Sequence, residues 1–145
     1  MITVLIADDH AYVRQGLREV FAQTDDICVV AECADGRQVV QTALLTEPDV
    51  VLMDLAMPGM TGLEAARELL ATRPDMRVVM LTGTVTVASV CQAQELGVSG
   101  YLVKDHDPGD LPASIRAVAA GSSVWSLAAA ARLPHCHEGV ERRAS

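Results

Sequence analysis

Basic residues are scarce in this sequence, and Lys104 is its single lysine. Only 11 lysine and arginine residues accompany 19 aspartate and glutamate residues, so the formal net charge at pH 7 is −8. Binding to a nucleic-acid backbone requires clustered cations that neutralise the phosphates. The charge balance therefore argues against DNA or RNA binding by this chain, and any DNA binding would need a further domain.

Long hydrophobic runs are also missing. Half of the residues are apolar, but no run approaches the roughly 18 apolar residues that a membrane-spanning helix needs. The N-terminus enters the apolar segment Ile2–Ile6 without a basic leader. We therefore expect a soluble, cytoplasmic protein without a membrane segment, whose length of 145 residues suits one domain plus a tail.

The four cysteines show neither the close pairing of a zinc site nor the density of a disulfide-rich secreted domain. We expect Cys28, Cys33 and Cys91 to be buried thiols in a reducing compartment. The fourth lies in His135-Cys136-His137, whose imidazole and thiolate groups are suitable ligands for transition metals. Three adjacent side chains in a loose tail rarely converge on one ion, so we do not predict a metal site there.

Short β-branched runs alternate along the chain with stretches of helical periodicity. Val13, Leu17 and Phe21 share one face of a helix, and so do Leu111 and Ile115. This alternation is typical of repeated βαβ units, in which helices cover both faces of a parallel sheet. Five mostly apolar runs are predicted to be buried strands: Ile2–Ala7, Cys28–Cys33, Val50–Met53, Arg77–Leu81 and Gly100–Val103.

Residues that favour helix ends mark several boundaries. Thr61 followed by Glu64 matches a capping box, and Asp107-Pro108 places an acceptor and a proline at the start of a helix. Gly97 and Gly121 suit the ends of helices. The sequence thus predicts a (βα)5 domain over residues 1–121.

Residues 122–145 do not continue the alternation, and we predict a tail or the start of a linker. Leu127–Leu133 could form one short helix, and Trp125 would pack that helix against the domain or lie in a linker. Pro134–Ser145 has almost no apolar content, which predicts a flexible end.

Five polar residues follow or end the predicted strands. Asp8 and Asp9 follow the first strand, Asp54 the third, Thr82 the fourth and Lys104 the fifth. Ligands of open parallel sheets bind at the carboxyl ends of the strands, close to the point where the strand order reverses. We therefore expect these five side chains to form one site.

Carboxylates held close together repel one another, and a hard divalent cation such as Mg²⁺ relieves that repulsion. We expect Asp9 to be a direct ligand, with Asp8 binding directly or through water. An aspartate can attack phosphorus to form an acyl phosphate, and Asp54 is placed for this reaction. Lys104 could then pair with a phosphoryl oxygen, and the hydroxyl of Thr82 could donate to another.

Each of these residues also has a simpler explanation. Asp8-Asp9 could form a turn or cap the first helix, and Asp54 could form a turn before Pro58-Gly59. Thr82 could bond only to local backbone, and Lys104 could be an exposed charge. Their common position at one sheet edge nevertheless favours a phosphoacceptor site. His10, beside the acidic pair, is better explained as a helix-start residue than as a catalyst.

The motifs that carry these residues resemble the receiver domain of bacterial two-component response regulators over about residues 2–121. They are Asp8-Asp9, Met53–Gly62, Leu81-Thr82 and Gly100–Asp105. The resemblance implies a flavodoxin-like, doubly wound three-layer α/β sandwich with strand order 2-1-3-4-5.

The same resemblance implies a role for each residue of the site. Asp54 would be the phosphoacceptor, Asp8 and Asp9 with Asp54 would bind Mg²⁺, and Lys104 would pair with the phosphate. Thr82 would be the switch hydroxyl. Tyr101 resembles the family's aromatic switch residue, although an aromatic at a strand start is often a core residue.

Gly100–Asp105, with no proline after the lysine, resembles the NarL/LuxR-type branch, whose members usually carry a C-terminal DNA-binding helix-turn-helix. No second helical module follows residue 133 here, so we expect DNA binding only through a domain that this chain lacks. Two local departures from the family pattern are Ala56, where a longer polar residue is frequent, and Gly83-Thr84 after the switch threonine. We expect the first to change the phosphoryl lifetime and the second to loosen the following loop.

The predicted function is a signalling switch rather than an enzyme with an external substrate. A sensor histidine kinase would phosphorylate Asp54, and the face formed by Val85–Leu96, Gly100–Val103 and Leu111–Ala120 would change its partner. Weak homodimerisation through that face is also expected. The alternatives are an aspartate-nucleophile phosphatase, for which no substrate lid is evident, and a phosphorylation-independent interaction module.

Overall fold

Six strands and six helices alternate along residues 1–104 and 110–136, the part of the chain that the computed structural model describes. The strands are β1 (Ile2–Ala7), β2 (Ile27–Cys33), β3 (Val50–Met53), β4 (Arg77–Thr82), β5 (Gly100–Val103) and β6 (Val124–Trp125). The helices are α1 (Ala11–Ala22), α2 (Gly36–Thr46), α3 (Gly62–Thr72), α4 (Val87–Leu96), α5 (Leu111–Ala119) and α6 (Leu127–Ala130).

All strands run parallel in one sheet of order β2-β1-β3-β4-β5-β6. This confirms the doubly wound α/β fold and the predicted order of the first five strands. β2 lies on one side of β1, and β3 lies on the other side. The strand order therefore reverses beside the carboxyl ends of β1 and β3, which is where such folds bind ligands.

The sheet is buried on both faces, as the apolar strands predicted. Alternate residues of β1 point to opposite sides: Leu5 packs with one core cluster and Ile6 with the other. The first cluster includes buried residues of α2, α3, α4 and α6, and the second includes those of α1 and α5. The architecture is thus a three-layer sandwich, and its rigid centre fixes where the strand ends lie.

The sixth strand was not predicted from the sequence. Val124 and Trp125 pair with Gly100 and Tyr101 of β5, but two residues are too few to show a periodic pattern. A Cβ atom on Gly100 would lie only 2.4 Å from the backbone oxygen of Val124. The glycine therefore permits the pairing, and part of the predicted switch face is covered by the chain's own residues.

Most predicted helix boundaries are present. The side chain of Thr61 caps α3 by accepting a hydrogen bond from the backbone N–H of Glu64 at 3.2 Å. Gly97 ends α4 with a left-handed φ of 83°. A reciprocal capping box that was not predicted joins Thr86 and Ser89 at the start of α4. The predicted Asp107-Pro108 helix start lies outside the described residues.

The cysteine predictions were largely wrong. Cys91 of α4 and Cys136 form a disulfide, and Cys28 is exposed, so only Cys33 is a buried thiol as expected. The bonded residues are 45 positions apart, and only the fold brings them together.

Residues 122–136 of the predicted tail contain β6 and short helical segments. The helix Leu127–Ala130 is shorter than the predicted Leu127–Leu133, and residues 134–136 form a further helical turn rather than a flexible end. His137, with the rest of residues 137–145, lies outside the described part of the chain. Within the described part, no helix is long and apolar enough to span a bilayer.

Candidate functional site

The carboxyl edge of the sheet carries all five side chains that the sequence assigned to one site. Asp8 and Asp9 follow β1, Asp54 follows β3, Thr82 ends β4 and Lys104 follows β5. Backbone bonds between neighbouring strands continue past their ends. The N–H of Asp54 donates to the oxygen of Ala7, and the N–H of Lys104 donates to that of Thr82, both at 2.9 Å. These bonds hold the residues in register with the rigid sheet.

Lys104 bridges two buried carboxylates. Its Nζ lies 2.7 Å from Oδ2 of Asp8 and 3.0 Å from Oδ2 of Asp54, and both aspartates are buried. Burial alone lowers the pKa of Lys104, but hydrogen bonds to Asp8 and Asp54 outweigh it and leave this pKa raised. The lysine therefore stays charged at neutral pH. It also lies next to Asp54, as the sequence predicted.

His10 contacts both members of the acidic pair. Its Nδ1 lies 3.2 Å from Oδ1 of Asp8 and 3.1 Å from Oδ1 of Asp9, and its backbone N–H donates to Oδ1 of Asp8. His10 also occupies the N-cap position of α1 without a side-chain capping bond. His10 therefore lies at the start of the helix, as expected. Asp8 forms a local turn through its bond to the His10 N–H, and neither Asp8 nor Asp9 caps the helix.

Four side chains could together hold a metal ion. Asp8, Asp9, His10 and Asp54 each offer one ligand atom, and these atoms all lie within 4.8 Å of one another. Three carboxylates against one ammonium leave an excess of negative charge, which favours a cation. Carboxylate oxygens suit hard divalent ions, so the residues fit the type of metal expected from the sequence. Sequence reasoning did not propose His10 as a ligand, although its position next to the aspartates was the available signal.

Thr82 is buried at the end of β4 and is engaged with the loop that follows. Its Oγ1 accepts a hydrogen bond from the backbone N–H of Thr84 at 3.2 Å. This is the local bond that the simpler interpretation expected. The hydroxyl proton of Thr82 is not used in that bond, so the group keeps the capacity to donate.

Tyr101 points into the protein and links the same loop to α4. Its hydroxyl donates to the backbone oxygen of Thr84 and shares a 2.9 Å hydrogen bond with Oγ of Ser89. The residue is fully buried, and burial raises the pKa of the phenol. On its other side, the ring stacks on Trp125 with centroids 6.3 Å apart. Trp125 thus packs the tail against the domain, one of its two predicted roles.

A groove of about 520 Å³ separates α3 from α4 beside the site. Leu55 and Ala56, which directly follow Asp54, line it together with Thr84 and Ser89. Ala56 is exposed, and its small side chain fills little of the groove. The family departure noted at Ala56 therefore lies in this groove, two residues after Asp54.

Comparisons with known proteins agree with this arrangement. The response regulator receiver domain family matches residues 4–116. The transcriptional regulatory protein YxjL of Bacillus subtilis is 38% identical over 132 residues, covering 91% of this chain and 61% of YxjL. The nitrate/nitrite response regulator protein NarL of Escherichia coli K12 is 37% identical over 126 residues, covering 87% of this chain and 58% of NarL.

A solved structure shows the same likeness in three dimensions. The crystal structure of a LuxR-family two-component response regulator from Aurantimonas sp. SI85-9A1 matches with a TM-score of 0.85 and 33% identity, covering 99% of this chain and 98% of that chain. The chain spans about three fifths of the length of YxjL and NarL. It belongs to the response regulator receiver domain family, in the NarL/LuxR-type branch of two-component signalling proteins.

Proposed function

We propose that Asp54 accepts a phosphoryl group from the phosphohistidine of a sensor kinase. A carboxylate oxygen of Asp54 attacks phosphorus and forms an O–P bond, while the N–P bond of the donor breaks. The observation that carries this proposal is the position of Lys104, whose ammonium bonds directly to the Asp54 carboxylate. Once Asp54 is phosphorylated, the same ammonium can donate a hydrogen bond to a phosphoryl oxygen and offset its negative charge.

We also propose that Mg²⁺ binds at Asp8, Asp9 and Asp54. Lys104 already bonds Asp8 and Asp54, whereas the side chain of Asp9 is about one third exposed and contacts His10. Asp9 is therefore the most accessible carboxylate for a direct bond to the ion. When bound, Mg²⁺ would neutralise charge on the transferring oxygens.

Thr82 and Tyr101 are proposed to transmit phosphorylation to α4. The hydroxyl of Thr82 accepts from the N–H of Thr84, and the oxygen of Thr84 accepts from Tyr101. If Thr82 turns to donate to a phosphoryl oxygen, it gives up its bond to Thr84. The loop then holds Tyr101 less firmly, and Ser89 of α4 loses a fixed partner. Phosphorylation would thus shift an equilibrium between two arrangements of this loop and α4.

The receiver domain is proposed to comprise residues 1–121, with residues 122–145 leading toward an output domain. The relatives YxjL and NarL are a transcriptional regulatory protein and a response regulator, and each is longer than this chain. We therefore propose a transcriptional regulator that binds DNA through its output domain and can form homodimers. Because its phosphoryl donor would draw on ATP, we place it in the cytoplasm. The chain would catalyse only its own phosphorylation and dephosphorylation.

The test is incubation with acetyl phosphate and MgCl₂, followed by intact mass and peptide mapping. We expect one phosphoryl group, located on Asp54, and no labelling of Asp54→Asn. Asp25→Asn is the matched control, because Asp25 is exposed just before β2 and therefore lies at the amino ends of the strands, away from the site at their carboxyl ends. It should be labelled like the unmodified chain.

Labelling of Asp54→Asn to the same extent as the unmodified chain would contradict the assignment. Absence of labelling at any Mg²⁺ concentration, with partner affinity unaffected by the donor, would instead favour a phosphorylation-independent module. Steady turnover of a metabolite phosphate would favour a phosphatase.

A further inference from the structure

The disulfide between Cys91 and Cys136 connects two parts of the fold that lie at the proposed switch. Cys91 is on α4, two residues after Ser89, which bonds Tyr101. Cys136 ends the segment 124–136, here called the strap. The Cα atoms of the two cysteines are 5.4 Å apart, within the normal range for a bonded pair. The bond therefore attaches the strap to the same helix that holds the switch tyrosine.

The strap begins with β6, which pairs with β5 at the edge of the sheet, and the backbone N–H groups of Val124 and Ser126 donate to the oxygens of Ser99 and Tyr101. Apart from the disulfide, its remaining anchorage is a small apolar contact. Its strand has two residues and its helix four, and it buries Ala129, with Trp125 and Leu133 partly buried against the core. Leu127, by contrast, is 91% exposed. A segment with so few buried apolar contacts opens at low free-energy cost unless a cross-link holds it. The Cys91–Cys136 bond is thus placed to decide whether the strap stays on the domain.

The two remaining cysteines cannot readily take part in this bond. Cys28 and Cys33 are both on β2, at the opposite edge of the sheet from β5 and β6. Cys91 and Cys136 are each half-buried, so a small thiol or disulfide can reach them. In the cytoplasm proposed above, which is a reducing compartment, disulfides are usually transient and either catalytic or redox-sensing.

We propose that Cys91 and Cys136 are a reversible redox site that fastens the strap over Tyr101 and β5. In the oxidised form, the stack of Trp125 on Tyr101 is held, and the strap covers the β5 side of the switch face. In the reduced form, the strap can leave and expose that side to a partner. The site adds control by oxidation to the proposed phosphorylation switch and does not depend on it.

The chemistry is thiol–disulfide exchange with a small disulfide such as glutathione disulfide. One cysteine thiolate attacks the small disulfide, forms a mixed disulfide and expels one thiolate. The second cysteine thiolate then attacks the bonded cysteine sulfur, closes the Cys91–Cys136 bond and expels the other. Two cysteine thiols are oxidised and one small disulfide is reduced to two thiols. An excess of a dithiol reverses both steps.

The test uses the whole chain after treatment with either glutathione disulfide or dithiothreitol. Alkylation and intact mass count the free thiols, and peptide mapping identifies the pair. We expect four reactive thiols after reduction and denaturation, and after oxidation only Cys28 and Cys33, since the sequence has four cysteines.

Trp125, the single tryptophan, reports the position of the strap without any substitution. We expect its quenching by acrylamide to rise at least about threefold on reduction, because the strap then opens locally. Far-UV circular dichroism should stay unchanged, which separates strap release from unfolding.

Three variants sharpen the test. Cys91→Ser and Cys136→Ser should each show the high quenching of the reduced chain under both treatments. Cys28→Ser is the matched control, because it removes a thiol on the distant strand β2 and should keep the full redox response.

Three results would overturn the proposal. The first is a Cys91–Cys136 disulfide that persists in the folded protein in excess dithiothreitol. The second is a disulfide between other cysteines. The third is acrylamide quenching of Trp125 that is the same in the oxidised and reduced forms.

Discussion

Replacement of Gly62 by alanine should damage both the stability and the chemistry of the site. A Cβ atom on Gly62 would lie 1.9 Å from the backbone oxygen of Asp54 and 3.0 Å from Cα of Leu55. Non-bonded heavy atoms normally remain about 3.5 Å apart, and backbone atoms cannot rotate away as a flexible side chain can. The start of α3 must therefore move away from Asp54 by more than about 1 Å.

The expected magnitude follows from the contacts that this movement changes. Overpacking costs about 1–3 kcal/mol, and loss of the 2.7 Å hydrogen bond from the N–H of Gly62 to the oxygen of Leu55 costs about 1 kcal/mol more. Alanine regains about 0.5–1 kcal/mol in a helix. We expect a net loss of about 1–3 kcal/mol in the free energy of unfolding. Phosphoryl uptake at Asp54 should fall at least about tenfold, because catalysis is sensitive to displacements of this size.

Urea unfolding monitored by circular dichroism measures the first effect, and the rate of phosphorylation by acetyl phosphate measures the second. Gly16→Ala is the control, because Gly16 is exposed within α1 and a Cβ there would meet no atom within 4 Å. That variant should be more stable by about 0.5–1 kcal/mol. If Gly62→Ala gained stability as Gly16→Ala is expected to do, the close approach of α3 to Asp54 would be wrong.

Three further outcomes are expected. Thr61→Ala should cost about 1 kcal/mol of unfolding free energy, because it removes the α3 cap. Thr72→Ala is the control and should cost less than about 0.5 kcal/mol, because the Thr72 hydroxyl bonds back to its own helix. Equal costs for the two variants would contradict the cap. Gly100→Ala should displace β6 and increase acrylamide quenching of Trp125 even in the oxidised chain; unchanged quenching would contradict the close pairing. Burial raises the pKa of Tyr101 above its ordinary value near 10, so its contribution to stability is complete below about pH 10 and is lost as the pH rises through the folded-state pKa. Urea melts from neutral to alkaline pH should show a smaller decline for Tyr101→Phe, and an equal decline would contradict this assignment.

Much of the fold followed from local patterns. Continuous apolar runs such as Val50–Met53 identify strands buried on both faces, and the first five strands lie close to their predicted bounds. The position of Thr61 as a helix cap was equally readable, because capping depends on residues that are near in sequence. By contrast, β6 and the helical turn at residues 134–136 were missed. Short elements of this kind form only because β5 offers a free edge and Tyr101 a surface for Trp125.

The site shows the same division between local and long-range information. The sequence by itself determined which residues reach the carboxyl edge, since each follows or ends a strand and parallel strands end on one side. Only the tertiary structure decided that Lys104 bridges Asp8 and Asp54 and that Cys91 meets Cys136. Contacts across 45 to 96 residues of sequence depend on how helices and strands pack, and no local pattern of amino acids encodes that packing.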